Sequence, residues 1–333
     1  VSTLVTGPTK EMAYEADGTP TPAAKGFAKK HGLDVRDSRL GVRQVKGRSH
    51  IFLGLHSRER TTMKLTERYP GAALITGAST GIGESFANAL GEEGFDLVLV
   101  ARREERLNEL AVGLRERYDV DVLVVAQDLT ALDCADRIYE RVAENGWQVS
   151  FLVNNAGSGS MDAYTDVEDE THLRMVDLNC RAPVAMTNRF LPPMIEKSNG
   201  AIIFLASTVA YVPVPYMSVY SATKAFNFFL SESFFPECRQ RGVDVLSLAP
   251  GYTETEFAEV AEMDASVPRI VTATPDAVVR HSLKAIGRRP ATVHGIGNWL
   301  MTFFTRFVPR RMVPWISGKV VRRSSPKLKV SSK

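Results

Sequence analysis

Thr76-Gly77-Ala78-Ser79-Thr80-Gly81-Ile82-Gly83 is the stretch that decides how this chain folds. A short apolar run, Ala72-Ala73-Leu74-Ile75-Thr76, leads into it, and a segment of helical period follows it. Glycines let the backbone turn sharply and approach a pyrophosphate, and a helix N-terminus then offers free N–H groups and a positive dipole end. A glycine-rich stretch alone often marks only a turn. Between a first strand and a first helix it points to a dinucleotide loop.

The pattern outward from this loop agrees. Strands are expected at 72–76, 96–101, 122–126, 149–153, 201–206 and 243–249. Helical segments are expected near 82–94, 104–118, 132–145, 171–197, 218–241 and 275–287. Strands alternating with helices of this length make βαβ units, hence a doubly wound parallel sheet with helices on both faces. The strand candidates are apolar on both faces, as central parallel strands must be.

The end of the second strand discriminates between cofactors. It reads Leu99-Val100-Ala101-Arg102-Arg103. NAD enzymes usually carry a carboxylate here for the ribose 2′-hydroxyl. A carboxylate would repel a 2′-phosphate, whereas a guanidinium binds it with paired hydrogen bonds. The expected cofactor is therefore NADP(H), with Arg102 as first choice and Arg103 beside it. Both arginines also suit the solvated start of a helix, Arg103 more so.

Tyr220-Ser221-Ala222-Thr223-Lys224 opens a helical segment, and its i,i+4 spacing puts phenol and ammonium on one face. A phenol has a pKa of about 10, and a neighbouring ammonium stabilises its phenolate. Ser207 stands at the end of the fifth strand, thirteen residues before Tyr220. Its hydroxyl can hold a substrate oxygen on which charge develops. A lone Tyr-x-x-x-Lys usually marks a solvated helix face. Joined to the strand-end serine, the T-G-x-x-x-G-x-G loop and Asn154-Asn155-Ala156-Gly157 after the fourth strand, it resembles the short-chain dehydrogenase/reductase family over Pro70 to Gly251, and more loosely to about Gly295.

That resemblance implies a Rossmann fold of about seven strands and an enzyme that interconverts a carbonyl and a secondary alcohol with Tyr220 as acid and base. It implies cofactor contacts from Gly77, Ser79, Thr80, Gly81, Ile82 and Gly83 in the loop, and from Asp128 and Leu129 near the adenine. Asn155, Ala156 and Gly157 would border the nicotinamide ribose. Asn179 would hold a water in a proton relay behind Lys224. Pro250 and Gly251 would form the turn after the sixth strand, with Thr253 contributing its backbone and Thr255 its side chain. Homodimers or homotetramers packed through helices follow by the same implication. The alternative, a non-catalytic NADP-binding regulator or scaffold on this fold, has no need to retain Ser207, Tyr220 and Lys224 together.

Composition bounds the rest. The 333 residues suffice for one large α/β domain, and the apolar and charged fractions are those of a soluble globular protein. Cys134, Cys180 and Cys238 are widely spaced, form no metal pattern and suggest a reducing compartment, the cytoplasm. No apolar run has the length of a membrane span. The net charge of +3 conceals an asymmetry: Ala277 to Lys333 holds thirteen Lys/Arg and no Asp or Glu, while residues 1–276 hold 28 basic and 38 acidic side chains. The acidic main body speaks against nucleic-acid binding.

The substrate stretch is apolar, with Val209, Tyr211, Val212, Pro213, Val214, Pro215, Tyr216 and Met217, and the expected lid adds Tyr252, Phe257, Val260 and Met263. An apolar ketone or long acyl carbonyl fits such a lining better than a sugar does. Three zones result: 1–62, a poorly structured extension; 63–295, the catalytic domain; and 296–333, a basic tail. The tail carries Ile296, Trp299, Leu300, Phe303, Phe304, Phe307 and Val308 as a helical stripe beside Arg306, Arg310 and Arg311. Two readings fit it: peripheral contact with anionic lipid, or packing on its own domain or on a neighbouring subunit. Residues of about 7–40 resemble part of the bacterial glycyl-tRNA synthetase beta subunit and carry no catalytic motif. A fused fragment or a misplaced start would explain that, and a chain beginning at Met63 is expected to keep stability and activity.

Overall fold

In the computed structural model the alternating runs form a seven-stranded parallel sheet. The structure describes residues 63–256 and 272–324, with strand backbone at 40–45 and 48–53. The chain divides into two units, Val1–Lys64 and Leu65–Lys333. In the first, β1 (Leu40–Val45) pairs antiparallel with β2 (Arg48–Leu53), a pairing the scattered apolar residues of this zone do not announce. Residues 7–40 of the synthetase resemblance lie outside the described residues apart from Leu40.

The second unit begins with a single turn, α1 (Leu65–Arg68), then β3 (Ala72–Thr76), α2 (Gly81–Glu92), β4 (Leu97–Ala101), α3 (Glu104–Tyr118), β5 (Val122–Ala126), α4 (Cys134–Glu144) and β6 (Val149–Asn154). It continues with α5 (Asp169–Val176), α6 (Ala182–Glu196), β7 (Gly200–Leu205), α7 (Ser218–Arg239), β8 (Val243–Ala249), α8 (Pro275–Ala285) and β9 (Ala291–Val293). Helices α9 (Ile296–Phe304) and α10 (Val313–Ser324) follow. The sheet order is β5-β4-β3-β6-β7-β8-β9. It reverses direction between β3 and β6, the switch point where a doubly wound sheet opens a crevice at its carboxyl ends.

Successive residues of β3 serve opposite faces, as the period of two requires. Ala73 and Ile75 join a core with Phe86 and Leu90 of α2, Leu107 and Leu114 of α3, and Val278 of α8. Ala72 and Leu74 join another with Ile138 of α4 and Met186, Phe190 and Met194 of α6. The six expected strands fall within one residue of these bounds. The seventh, β9, has only three residues and carries no pattern of its own.

One expected helix, 171–197, is broken. Between α5 and α6 the backbone widens into a π-turn, Asp177–Arg181, in which the Ala182 amide donates to the Asp177 carbonyl. The cause is Pro183. Proline has no N–H, so the carbonyl four residues earlier, that of Asn179, loses its helical partner.

Candidate active site

The T-G-x-x-x-G-x-G loop leaves β3 with Gly77 and Gly81 at positive φ, +67° and +59°. A methyl group on Gly81 would lie 2.7 Å from Thr255 Cγ2, and one on Gly83 would collide with the Gly77 carbonyl. Asn155 fastens the loop to β6: its Nδ2 donates to the carbonyls of Thr76 (2.9 Å) and Gly77 (3.2 Å). The Thr76 hydroxyl accepts from the amides of Asn155 and Ala156. Asn155 and Ala156 thus hold the two strand ends of the switch point in register.

Arg102 and Arg103 are both exposed; Arg103 turns back over the loop and donates from Nη2 to Ser79 Oγ (3.2 Å) and Thr80 Oγ1 (3.4 Å). Its Nη1 pairs with Glu256 at 3.0 Å, and Arg106 donates to the same carboxylate. The two guanidiniums hold the Glu256 carboxyl below its ordinary pKa. Neither Glu256 nor Arg106 was marked by any sequence motif.

Asp128 opposes a burial cost with hydrogen bonds from Thr130 N and Oγ1 and from Arg174, which leave its pKa lowered. Leu129 beside it is buried. At the other lip, the Thr208 amide donates to the Pro250 carbonyl, and Gly251 packs against the Asn298 side chain. Thr253 bridges to Ala273. The lid residues Phe257, Val260 and Met263 lie outside the described residues.

Ser207, Tyr220, Lys224 and Asn179 come together, all buried. Ser207 caps a single turn, Thr208–Tyr211, and accepts from the Val209 amide. That occupies a lone pair and leaves the hydroxyl proton for another oxygen. Burial pushes the Tyr220 phenol up to about 12, against which a hydrogen bond with Ser207 acts. Burial pushes the Lys224 ammonium down to about 8. Lys224 Nζ donates to the Leu205 carbonyl at 2.9 Å and lies 5.8 Å from the Tyr220 ring centre. A methyl group on Gly157 would stand 3.2 Å from Lys224 Nζ and 3.1 Å from Asn179 Oδ1, a tight fit that would press on both side chains.

Asn179 has protein partners at each polar side-chain atom. Oδ1 accepts from the Ser158 amide, and Nδ2 donates to the Ser158 carbonyl and to Thr223 Oγ1. The carbonyl that Pro183 releases accepts from Asn227 Nδ2 at 2.8 Å. Sequence reasoning missed Asn227, although it stands three residues after Lys224 on the same helix. The pairing of Asn179 with Pro183 was the available signal.

The tail also reaches the site. Ser317 Oγ donates to the Pro213 carbonyl at 2.8 Å, and Val321 packs into the cluster of Met161, Met175, Val214, Met217 and Tyr220. Tyr216, within the substrate stretch, has φ +68°, a strained value for a bulky residue.

Residues 71–265 match the short chain dehydrogenase family. The chain is 31% identical over 238 residues to the very-long-chain 3-oxoacyl-CoA reductase of Macaca fascicularis, covering 69% of this chain and 74% of that protein. It is 30% identical over 253 residues to the human reductase of the same name, covering 75% and 78%. A short-chain dehydrogenase from Sphingobium yanoikuyae, solved with NADPH, superposes with a TM-score of 0.63 at 32% identity, covering 71% of this chain and 94% of that one. A 7β-hydroxysteroid dehydrogenase superposes with a TM-score of 0.71 at 25% identity, covering 77% and 99%. Loop, switch point, strand order and these similarities agree: the chain belongs to the short-chain dehydrogenase family of oxidoreductases.

Proposed function

We propose that this enzyme is an NADP(H)-dependent carbonyl reductase for an apolar acyl or ketone substrate, with a 3-oxoacyl thioester as the leading class. The observation that carries the reading is the buried convergence of Ser207 and Tyr220 beside a loop whose hydroxyls and Arg103 are gathered for an anion. The glycine cradle fits a dinucleotide, since side chains at Gly77, Gly81 or Gly83 would fill it. Arg103, Ser79 and Thr80 would take the 2′-phosphate, and the α2 N-terminus the pyrophosphate. Asp128 and Leu129 would flank the adenine. Thr253 and Thr255 would close over the nicotinamide end.

When bound, the reduced nicotinamide supplies a hydride to the carbonyl carbon. The protein's residues do the rest. Ser207 Oγ–H and Tyr220 Oη–H hold the carbonyl oxygen, and Tyr220 releases its proton to that oxygen as it becomes an alkoxide. Burial keeps the phenol protonated, which suits the reductive direction. Lys224, fixed by Leu205, supplies positive charge behind the tyrosine and would hold the nicotinamide ribose. Asn179, Asn227, Ser158 and Gly157 hold Lys224's wall in place.

The 3-oxoacyl-CoA reductases among the relatives support the acyl class, as does the apolar lining of Met161, Met175, Val214 and Met217. Exposed Leu173 and Val176 on α5, with Phe226 and Phe229 on α7, support pairing with a second copy through these helices. NADPH consumption measured against 3-oxoacyl thioesters of increasing chain length, apolar ketones and sugars tests the reading. The expected result is kcat/KM rising with acyl length. Turnover confined to sugars, or a preference for NADH, would overturn it.

A further inference from the structure

The tail's apolar residues are not used up by packing on the protein. On α9, Ile296 is 80% exposed and Phe304 58%; beyond it Phe307 is 70% exposed and Trp315 of α10 76%. Trp299 and Phe303 stack on each other at 5.4 Å, and Phe303 and Phe304 each meet Phe307, so the rings form one raised surface. This surface is held in place. Ser317 is bonded to Pro213, Val321 packs in the Tyr220 cluster, and Asn298 fills the space over Gly251. Arg306, itself exposed, acts on Glu232 of α7: burial pushes that carboxyl up, and the Arg306 charge pulls it back. The other cations of this part of the tail, Arg310, Arg311, Lys319, Arg322 and Arg323, have no acidic residue beside them in the sequence, because the chain holds none from Ala277 onward.

We propose that this surface seats on an anionic lipid bilayer, with the mouth of the catalytic site beside it. Aromatic rings above a field of arginines match the two layers of such a membrane, acyl chains below and negative headgroups at the level of the cations. A second copy would bring the same unbalanced positive charge to the contact, and like charges disfavour it. Among the described residues no helix is long and apolar enough to cross a membrane; the proposed contact is made by the exposed rings of the tail. The proposal deepens the acyl-substrate reading, since a long acyl chain partitions into lipid, but its test measures binding and stands independently of turnover.

The full chain is mixed with phosphatidylcholine vesicles, with and without phosphatidylglycerol, at low and high salt. Sedimentation and tryptophan emission are recorded. Two of the three tryptophans, Trp299 and Trp315, stand on the surface, and the third, Trp147, is half-buried elsewhere. The expected result is co-sedimentation and a blue shift with the anionic vesicles only, reversed by high salt. Trp299→Ser with Trp315→Ser, and separately Arg310→Glu with Arg311→Glu, should each weaken binding at least about tenfold while leaving the thermal melt and aqueous NADPH oxidation near wild type. Absence of anionic-vesicle binding at low salt overturns the proposal. So does a concentration-dependent dimer that the tryptophan substitutions dissolve, which would assign the surface to a second copy.

Discussion

Tyr220 and Lys224 show how burial sets the chemistry of single residues. On the proposed mechanism, Tyr220→Phe removes the proton donor and leaves the cofactor cradle intact. Turnover should fall roughly 10²–10⁴-fold, while NADPH binding, followed by fluorescence titration, stays within a few-fold. Lys224 offers a pH test. Its folded pKa, about 8, lies below its ordinary 10.5, so between these values the unfolded chain binds more protons and stability contributed by this group rises with pH. Below pH 8 the buried ammonium costs stability. The melting temperature of wild type relative to Lys224→Met should therefore climb as pH rises from 8 to 10.5; a flat difference would mean the lysine is not desolvated. At the loop, Arg103→Asp should weaken NADPH more than about tenfold with little effect on NADH, and more than Arg102→Asp does. Glu256→Gln should tighten NADPH, because it frees Arg103 from a competing carboxylate. The sequence offered Arg102 and Arg103 together; that Arg103 bonds to Ser79 and Thr80 was not legible, since it depends on where those hydroxyls stand in space.

At the scale of elements, the loop from β3 to α2 and the broken α5–α6 segment place the chemistry. Gly81 combines a positive φ with contact against Thr255. Gly81→Ala should abolish NADPH binding in calorimetry, and Thr255→Ala in the same chain should not restore it, because backbone strain persists when the space is relieved. The loop was legible because its meaning is local: glycine spacing between a strand and a helix. The π-turn was half legible. Pro183 announces a missing hydrogen bond at Asn179, but its capture by Asn227 is a contact between helices that no spacing rule supplies. The seat of α10 on Pro213 and Val321's place beside Tyr220 are likewise long-range, and the stripe in the tail said only that an apolar face exists.

Across the whole molecule, stability and chemistry occupy opposite ends of the sheet. At the amino ends of the strands, Asp244 accepts from Tyr69 Oη at 2.8 Å and pairs with Arg68, whose Nη1 also reaches the Ile286 carbonyl. Arg68→Ala leaves a buried carboxylate short of a partner and should cost about 3 kcal/mol in chemical denaturation. KM for NADPH, set at the carboxyl ends, should not move; a changed KM would show that the two ends are coupled. The six-strand alternation made the architecture readable from the chain, because binary patterning is what a two-faced parallel sheet demands. The clasp was not readable, since Arg68 and Asp244 meet only after the sheet is assembled. The strand order also bears on how the protein is made. Of the seven strands of this sheet, β3 emerges first from the ribosome yet ends between β4 and β6. One of its edges stays without a neighbour until Val149–Asn154 has been synthesised. Parallel pairing across so long a stretch is slow to close. The nascent N-terminal half therefore passes through a period with an open, apolar strand edge, and cellular yield of this enzyme should depend on how well that interval is shielded by chaperones or shortened by faster translation.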